Sequence, residues 1–228
     1  MKKIINNGLF IVIDGTDGSG KQTQTKLLHK KLTDEGFEVL SVSFPRYGTP
    51  SAQNVEKYLN GDFGDDPNKI DAYTVSEYYA EDRSAHSAEI KAALRQGQIV
   101  ISDRYVTANM GHQGSKFTDR EERNRYLQWL YELEYRTNNI PEPNINFILH
   151  VPTEVSQELI KTRGEKQDIH ENNLKHLYRA EKTYLELPAL FPHFSLIECY
   201  EKGDLLSPDT IHKIIWEQLT PLLKTQES

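Results

Sequence analysis

The sequence holds a single cysteine, Cys199, among 228 residues. One thiol excludes an internal disulfide, so the fold must be held by its core rather than by cross-links. The context SLIECY reads as the end of a short strand, where a lone cysteine is expected to be a buried structural thiol. Long apolar runs are also missing. The amino terminus MKKIINNGLFIVIDG offers only the run Leu9 to Ile13, too short for a signal-peptide core, and no stretch approaches the roughly 18 residues of a bilayer span. A cytoplasmic chain with no membrane association is therefore expected. Positive charge is in deficit, with 27 Lys and Arg against 34 Asp and Glu and a net charge of -7. Coating of a nucleic-acid duplex needs a cationic surplus, so no nucleic-acid partner is expected, and any polyanion must be small and held locally. Internal repeats and low-complexity linkers are absent, and residues 1–228 suit one domain.

What is present is a regular alternation. The runs 9–13, 37–44, 98–102, 145–151 and 194–200 are β-rich and bounded by turn residues. Helix-period segments lie between them; KQTQTKLLHKKLTDEG, for example, places Thr25, Leu28 and Leu32 on one face and stops at Gly36. Strand–helix alternation implies βαβ crossovers, hence an α/β fold: a five-stranded parallel sheet flanked by helices on both faces.

The segment GTDGSGK, Gly15 to Lys21, follows a predicted strand and opens a predicted helix. In that context the pattern reads as a phosphate-binding loop. Gly15, Thr16, Asp17, Gly18, Ser19 and Gly20 form the turn, the glycines let backbone N–H groups face phosphate oxygens, and the helix N-terminus and Lys21 add positive charge. The hydroxyl residue that should follow the lysine is replaced by Gln22, with Thr23 one place late. An amide is a poorer magnesium ligand than a hydroxyl in the usual place, which directs attention to the carboxylates Asp17 and Asp103 as candidate Mg2+ ligands, directly or through water.

Other constellations fall at predicted strand ends, the edge where open α/β sheets bind ligands. SDRY brings Asp103 and Arg104 there, and FPRY brings Phe44, Pro45, Arg46 and Tyr47. Tyr79 and Arg83, four residues apart in EYYAEDRSAH, share one helix face, so a ring could stack on a base while a guanidinium bonds its edge. KTRGEKQ gathers Lys161, Arg163 and Lys166 around a glycine between two helices, as a basic flap over a triphosphate would, and as an ordinary charged loop would too. The run DREERNR is expected to be a solvated helix face, and YLQWLYELEY either core or a dimer face.

In order along the chain, IDGTDGSGKQTQ, FPRYG, AEDRSAH, the strand ending in DRY, and VTANMGHQG resemble the thymidylate kinase family of P-loop nucleoside monophosphate kinases. The resemblance implies a nucleotide-kinase architecture with a short basic lid at about 161–171, ATP and Mg2+ as donor and cofactor, dTMP as acceptor, and a homodimer. It implies that Lys21 and the loop residues 15–23 cradle ATP, and that Asp17 lies near the nucleotide sugar and metal. By the same resemblance Phe44, Pro45, Arg46 and Tyr47 contact base and monophosphate, Tyr79 stacks on thymine, Arg83 bonds its edge, Arg46 and Arg104 clamp the acceptor phosphate, and Asp103 organises magnesium. Asn109, His112 and Gln113 line base and sugar; His112 stands where many members have tyrosine, and Ala108 where serine is common. Several members lack a hydroxyl directly after the loop lysine and keep the threonine that follows. Positions 16–19 lack arginine, and members of that type place basic residues in the lid, which points to Lys161, Arg163 and Lys166. Lys21, Arg104, Asp103 and Arg163 are then the catalytic set. Two rival functions stay open: another deoxynucleotide or deoxynucleoside kinase of this fold, and a nucleotide-binding regulator that has lost transfer, with Gln22 as the lesion.

Overall fold

The computed structural model describes residue 5 and residues 7–163 and 167–226. Five strands, β1 (Leu9–Gly15), β2 (Val39–Ser43), β3 (Ile99–Asp103), β4 (Ile145–His150) and β5 (Phe194–Glu198), form one parallel sheet in the order β2-β3-β1-β4-β5. β1 is central, pairing Ile13 with Asp103 on one side and with Phe147 on the other. The residues at the carboxyl ends of β1, β3 and β4 therefore meet at the middle of the sheet.

The sheet is buried from both sides because its strands alternate between two cores. Phe10, Val12, Val100 and Ile148 face one core, shared with α3 (Ala72–Arg95), α4 (Val106–His112), α5 (Arg120–Tyr131) and α7 (Leu174–Leu190). Leu9, Ile11, Ile13, Ile101 and Leu149 face the other, with Leu28 and Leu32 of α1 (Lys21–Asp34) and Ile211, Ile215 and Leu219 of α8 (Pro208–Gln226). The α1 face read from the sequence is the buried one, and the helix ends two residues before Gly36, whose φ of 93° is the left-handed conformation that glycine adopts without penalty.

Differences from the sequence reading have local causes. The run 194–200 is broken: β5 stops at Glu198, Cys199 is fully buried, and Tyr200–Glu201 (β6) turns back on Asp204–Leu205 (β7). DREERNR is not wholly solvated, since Arg123 is buried and paired with Glu186 of α7. The aromatic run 126–135 is largely core, with Tyr126 and Leu130 fully buried. Its second half leaves the α-helical path: Glu132–Thr137 is a π-helix. Among the described residues no helix is long and apolar enough to cross a membrane.

One polar staple carries a pH-dependent expectation. His150, the last residue of β4, pairs in register with Glu198 of β5, its Nδ1 2.6 Å from Glu198 Oε2 and its Nε2 2.9 Å from Glu181 Oε1 of α7. Glu181 also accepts from the Thr153 backbone N–H at 3.0 Å, holding the start of α6 (Thr153–Arg163). The hydrogen bond to Glu181 and the Glu198 charge raise the His150 pKa above its usual value. A raised folded pKa contributes stability that is fully present below the unfolded value of about 6.5 and is lost as pH rises through the folded value. His150→Ala is therefore expected to cost about 1 kcal/mol more at pH 6 than at pH 9, allowing for solvent screening of the exposed Glu198. Urea denaturation of both proteins at the two pH values checks this; an equal loss at both would remove the charge from the account.

Candidate active site

The glycine loop emerges from β1 and is fastened to the neighbouring strand. The Thr16 N–H donates to Leu149 O at 3.1 Å, Thr16 Oγ1 donates to Val151 O at 3.0 Å, and the Val151 N–H donates back to Thr16 Oγ1 at 3.1 Å. This close approach requires a glycine: at Gly15, with φ of 134°, an added Cβ would sit 2.0 Å from the Leu149 carbonyl oxygen. α1 begins at Lys21 with no side-chain cap and no acidic residue in its first turn. Its partial positive charge is thus left for an anion. The Lys21 ammonium folds back under the loop, donating to Gly15 O at 3.1 Å and Thr16 O at 2.7 Å. Burial and the Arg104 guanidinium pull its pKa down to about 8, with Asp17, Asp14 and Asp103 opposing.

Asp17 joins the loop to a second cavity. Its Oδ1 accepts from Arg104 Nη2 at 2.8 Å and lies 3.9 Å from Lys21 Nζ. Burial opposes ionisation of Asp17, but His112, Arg104 and Lys21 hold its carboxyl well below the usual carboxylate range. Arg104 reaches it from a strained position: it follows β3 with φ of 65°, in the left-handed region that costs a residue with a side chain. The adjacent cavity is lined by Phe44, Pro45, Tyr47, Tyr79, Arg83, Arg104, Ala108, Asn109, His112 and Gln113, together with Asp17 itself. Tyr79 and Arg83 meet there as their spacing on α3 implies, the guanidinium 6.0 Å from the Tyr79 ring centre.

Four expected residues, Arg46, Gln22, Thr23 and Asp103, do not join them. The Arg46 guanidinium is held by Glu89 at 2.7 Å, its backbone N–H by the buried Asp82 at 2.8 Å, and its side chain lines a neighbouring groove with Gln22, Lys26, His29 and Asp103. Arg46 and Arg104 therefore do not converge on one cavity as the paired-clamp expectation requires, because α3 supplies an anion to each half of Arg46. Thr23 points to solvent on the exposed side of α1, while Gln22 and Asp103 share the groove. Of the lid cations, Lys166 lies outside the described residues, as do the side chains of Lys161 and Arg163.

Several residues of the site carry no signal in the sequence. Asp14 is fully buried beneath the loop, accepting from the Gly15 N–H at 2.8 Å and the Tyr184 hydroxyl at 3.0 Å. Glu134 binds the Arg83 guanidinium at Nε, 3.0 Å, and again at Nη2, with both side chains at most 1% exposed. The segment before α7 brings Asp168 and His170 to the cavity, 151 and 153 positions after Asp17 in the chain, where only the third dimension brings them together. Burial and the Asp17 charge push Asp168 up to about 6.

The chain resembles known proteins over most of its length. The thymidylate kinase family model matches residues 13–201. A probable thymidylate kinase of Thermococcus kodakarensis is 30% identical over 220 residues, covering 94% of this chain and 98% of that one. The thymidylate kinase of Mycobacterium tuberculosis is 27% identical over 187 residues, covering 79% of this chain and 86% of that one. Among solved structures, a thymidylate kinase of Candida albicans superposes with a TM-score of 0.74 at 20% identity, covering 97% of this chain and 94% of that one, which shows the shared fold. With the phosphate loop inside the matched span and the fold in agreement, the chain belongs to the thymidylate kinase family.

Proposed function

We propose that this chain, as one P-loop kinase domain, transfers the γ-phosphoryl group of ATP directly to dTMP. The observation that carries this reading is the double membership of Asp17: it belongs to the glycine loop, and it lines the cavity of Tyr79, Arg83 and Arg104. A donor on the loop and an acceptor in the cavity would thus abut, which in-line transfer requires. Phosphoryl transfer passes through a loose transition state with charge spread over the equatorial oxygens, so the protein's task is to position and neutralise. Lys21 and the α1 N-terminus hold the donor phosphates. Arg104 exchanges its Asp17 partner for the acceptor phosphate. The acceptor phosphate is already ionised, so no general base is needed. Tyr79 and Phe44 sandwich the base, Arg83 and Asn109 meet its edge, and Gln113 and His112 close the sugar side. Arg46 can re-aim toward a phosphate at small cost, since its pair with the half-exposed Glu89 is worth about 0.2–1 kcal/mol. The lid at about 161–171, with Lys161, Arg163 and Lys166, is proposed to close over the donor.

Hard oxygen donors suit Mg2+, which keeps most of its waters. Of the two candidate carboxylates, Asp17 lies within the loop and is released when Arg104 turns to the acceptor phosphate, and Asp103 lines one groove with Gln22, so both carboxylates are assigned to hydrated Mg2+, with the Gln22 amide on the Asp103 side. When bound with the nucleotide, the ion supplies charge neutralisation. Gln22 thereby distinguishes this chain's loop without disabling it. A homodimer and a cytoplasmic setting belong to this reading on the strength of the family; the buried Tyr126, Leu127 and Leu130 are consumed by the core and are not the dimer face.

The test is a panel of dTMP, dUMP, dCMP, dGMP and the free nucleosides with ATP and Mg2+. The highest kcat/KM is expected for dTMP, with dUMP lower by about 10-fold or more for the missing methyl group. A free nucleoside or another monophosphate ranking first would replace dTMP as the substrate. Tight ATP binding with no ADP formed on any acceptor would leave the regulator reading in its place.

A further inference from the structure

We propose that His112, His170 and His176 form a binding site for a first-row divalent transition metal of the zinc class, which ties the segment before α7 to the wall of the acceptor cavity. His112 ends α4, His170 lies in the segment 167–173, and His176 is in the first turn of α7. They are 5%, 5% and 0% exposed, and each offers a ring nitrogen within 4.8 Å of the other two. His112 Nδ1 and His176 Nε2 are 3.3 Å apart, which matches the edge of a tetrahedron of ligands about 2.0–2.1 Å from an ion.

One outer nitrogen, that of His170, supports the same assignment. A metal on His112 Nδ1 places the ring proton on Nε2, an atom that lacks a hydrogen bond among the described residues and lies 3.8 Å from Asp17 Oδ2. His170 Nε2 is 2.8 Å from the Tyr58 hydroxyl, which leaves its other nitrogen for the cluster. An outer hydroxyl of the kind that His170 has is usual at a zinc site, whereas His112 Nε2 is beyond hydrogen-bond reach of Asp17 and His176 Nδ1 has no hydrogen-bond partner among the described residues. The rings are stacked, His112 on His170 at 4.6 Å and His170 on His176 at 4.5 Å, so an ion requires them to fan apart about χ2. That torsion is broad for histidine. Three nitrogens leave one coordination position for water, as in open zinc sites, and nitrogen ligands discriminate against Mg2+. The consequence is a clamp: the ion would pin the segment that carries Asp168 onto α4 and α7, fixing one rim of the cavity.

The test uses the full chain with any affinity tag removed and without nucleotide, so that it stands apart from the acceptor panel. Protein dialysed against Zn2+ and then against buffer is expected to retain one equivalent per chain. The Co2+ form should show the visible absorption of a tetrahedral site, and Zn2+ should raise Tm. His176→Gln, which replaces a ligand outside the cavity lining, should weaken binding at least about 100-fold, beyond the 10–100-fold that loss of an outer partner costs. His170→Asn is the second variant should the first fail to fold. Retention well below one equivalent by the wild type overturns the proposal, as does unchanged affinity in a folded variant, since the ion would then sit on other histidines.

Discussion

Lys21→Met is expected to lower kcat by about 10³-fold or more while leaving the circular dichroism spectrum unchanged and Tm equal to or above that of the wild type. The two halves of this expectation have one cause. The Lys21 ammonium is buried beneath the loop, and burial has already pulled its pKa down to about 8, so the folded protein keeps this charge at a cost. Methionine fills a similar volume without that cost, and the carbonyl groups of Gly15 and Thr16 lose only a donor. Bound phosphates would repay the cost in the wild type alone. ATP should accordingly raise the wild-type Tm and leave that of Lys21→Met nearly unmoved. Near-normal turnover in the variant would remove the phosphate loop from the mechanism. A large fall in Tm would show instead that the lysine supports the fold.

The second large effect is on stability. Glu134→Ala is expected to cost about 3–5 kcal/mol, because it strands the Arg83 guanidinium in a site almost without solvent contact. The remaining partners, Tyr105 O at 3.3 Å and Asn109 Oδ1 at 3.4 Å, are long neutral acceptors and do not replace a carboxylate. Urea denaturation measures the loss, and KM for the acceptor should rise because Arg83 lines the cavity. Replacing both partners, Arg83→Met with Glu134→Leu, separates the two roles. Removal of both charges should recover most of the stability, since a buried ion pair is often no better than apolar groups of the same volume. Activity should stay low, because Asn109 alone is then left to meet the base edge. If the double variant is as unstable as Glu134→Ala, the cost lies in packing rather than in an unpaired charge.

Legibility from the sequence follows the range of the interaction involved. The strands were visible because period-2 burial on both faces demands continuous apolar runs such as LFIVI, and the loop because its glycines, lysine and flanking elements are neighbours in the chain. That Tyr79 and Arg83 share a helix face is legible because four helical residues span about one turn, a local geometry. Glu134 was invisible for the opposite reason. It reaches Arg83 across 51 positions, and from a π-helical turn that the 3.6-residue period does not describe.

Arg46 shows the limit most clearly. Its sequence context places it at a strand end beside the site, and that much is local. Which way its guanidinium turns depends on Glu89 and Asp82, carboxylates of a helix 26 to 49 positions further on. The three histidines are the same case at greater distance, scattered over 65 residues of sequence and stacked in one buried column. By itself, then, the chain's order of residues determined the sheet, the phosphate loop and the family, because strand burial, glycine turns and helix faces are set by neighbours. The tertiary structure alone decided which charges pair, which stay open and where imidazoles gather, because those energies depend on distances between residues that the chain keeps far apart.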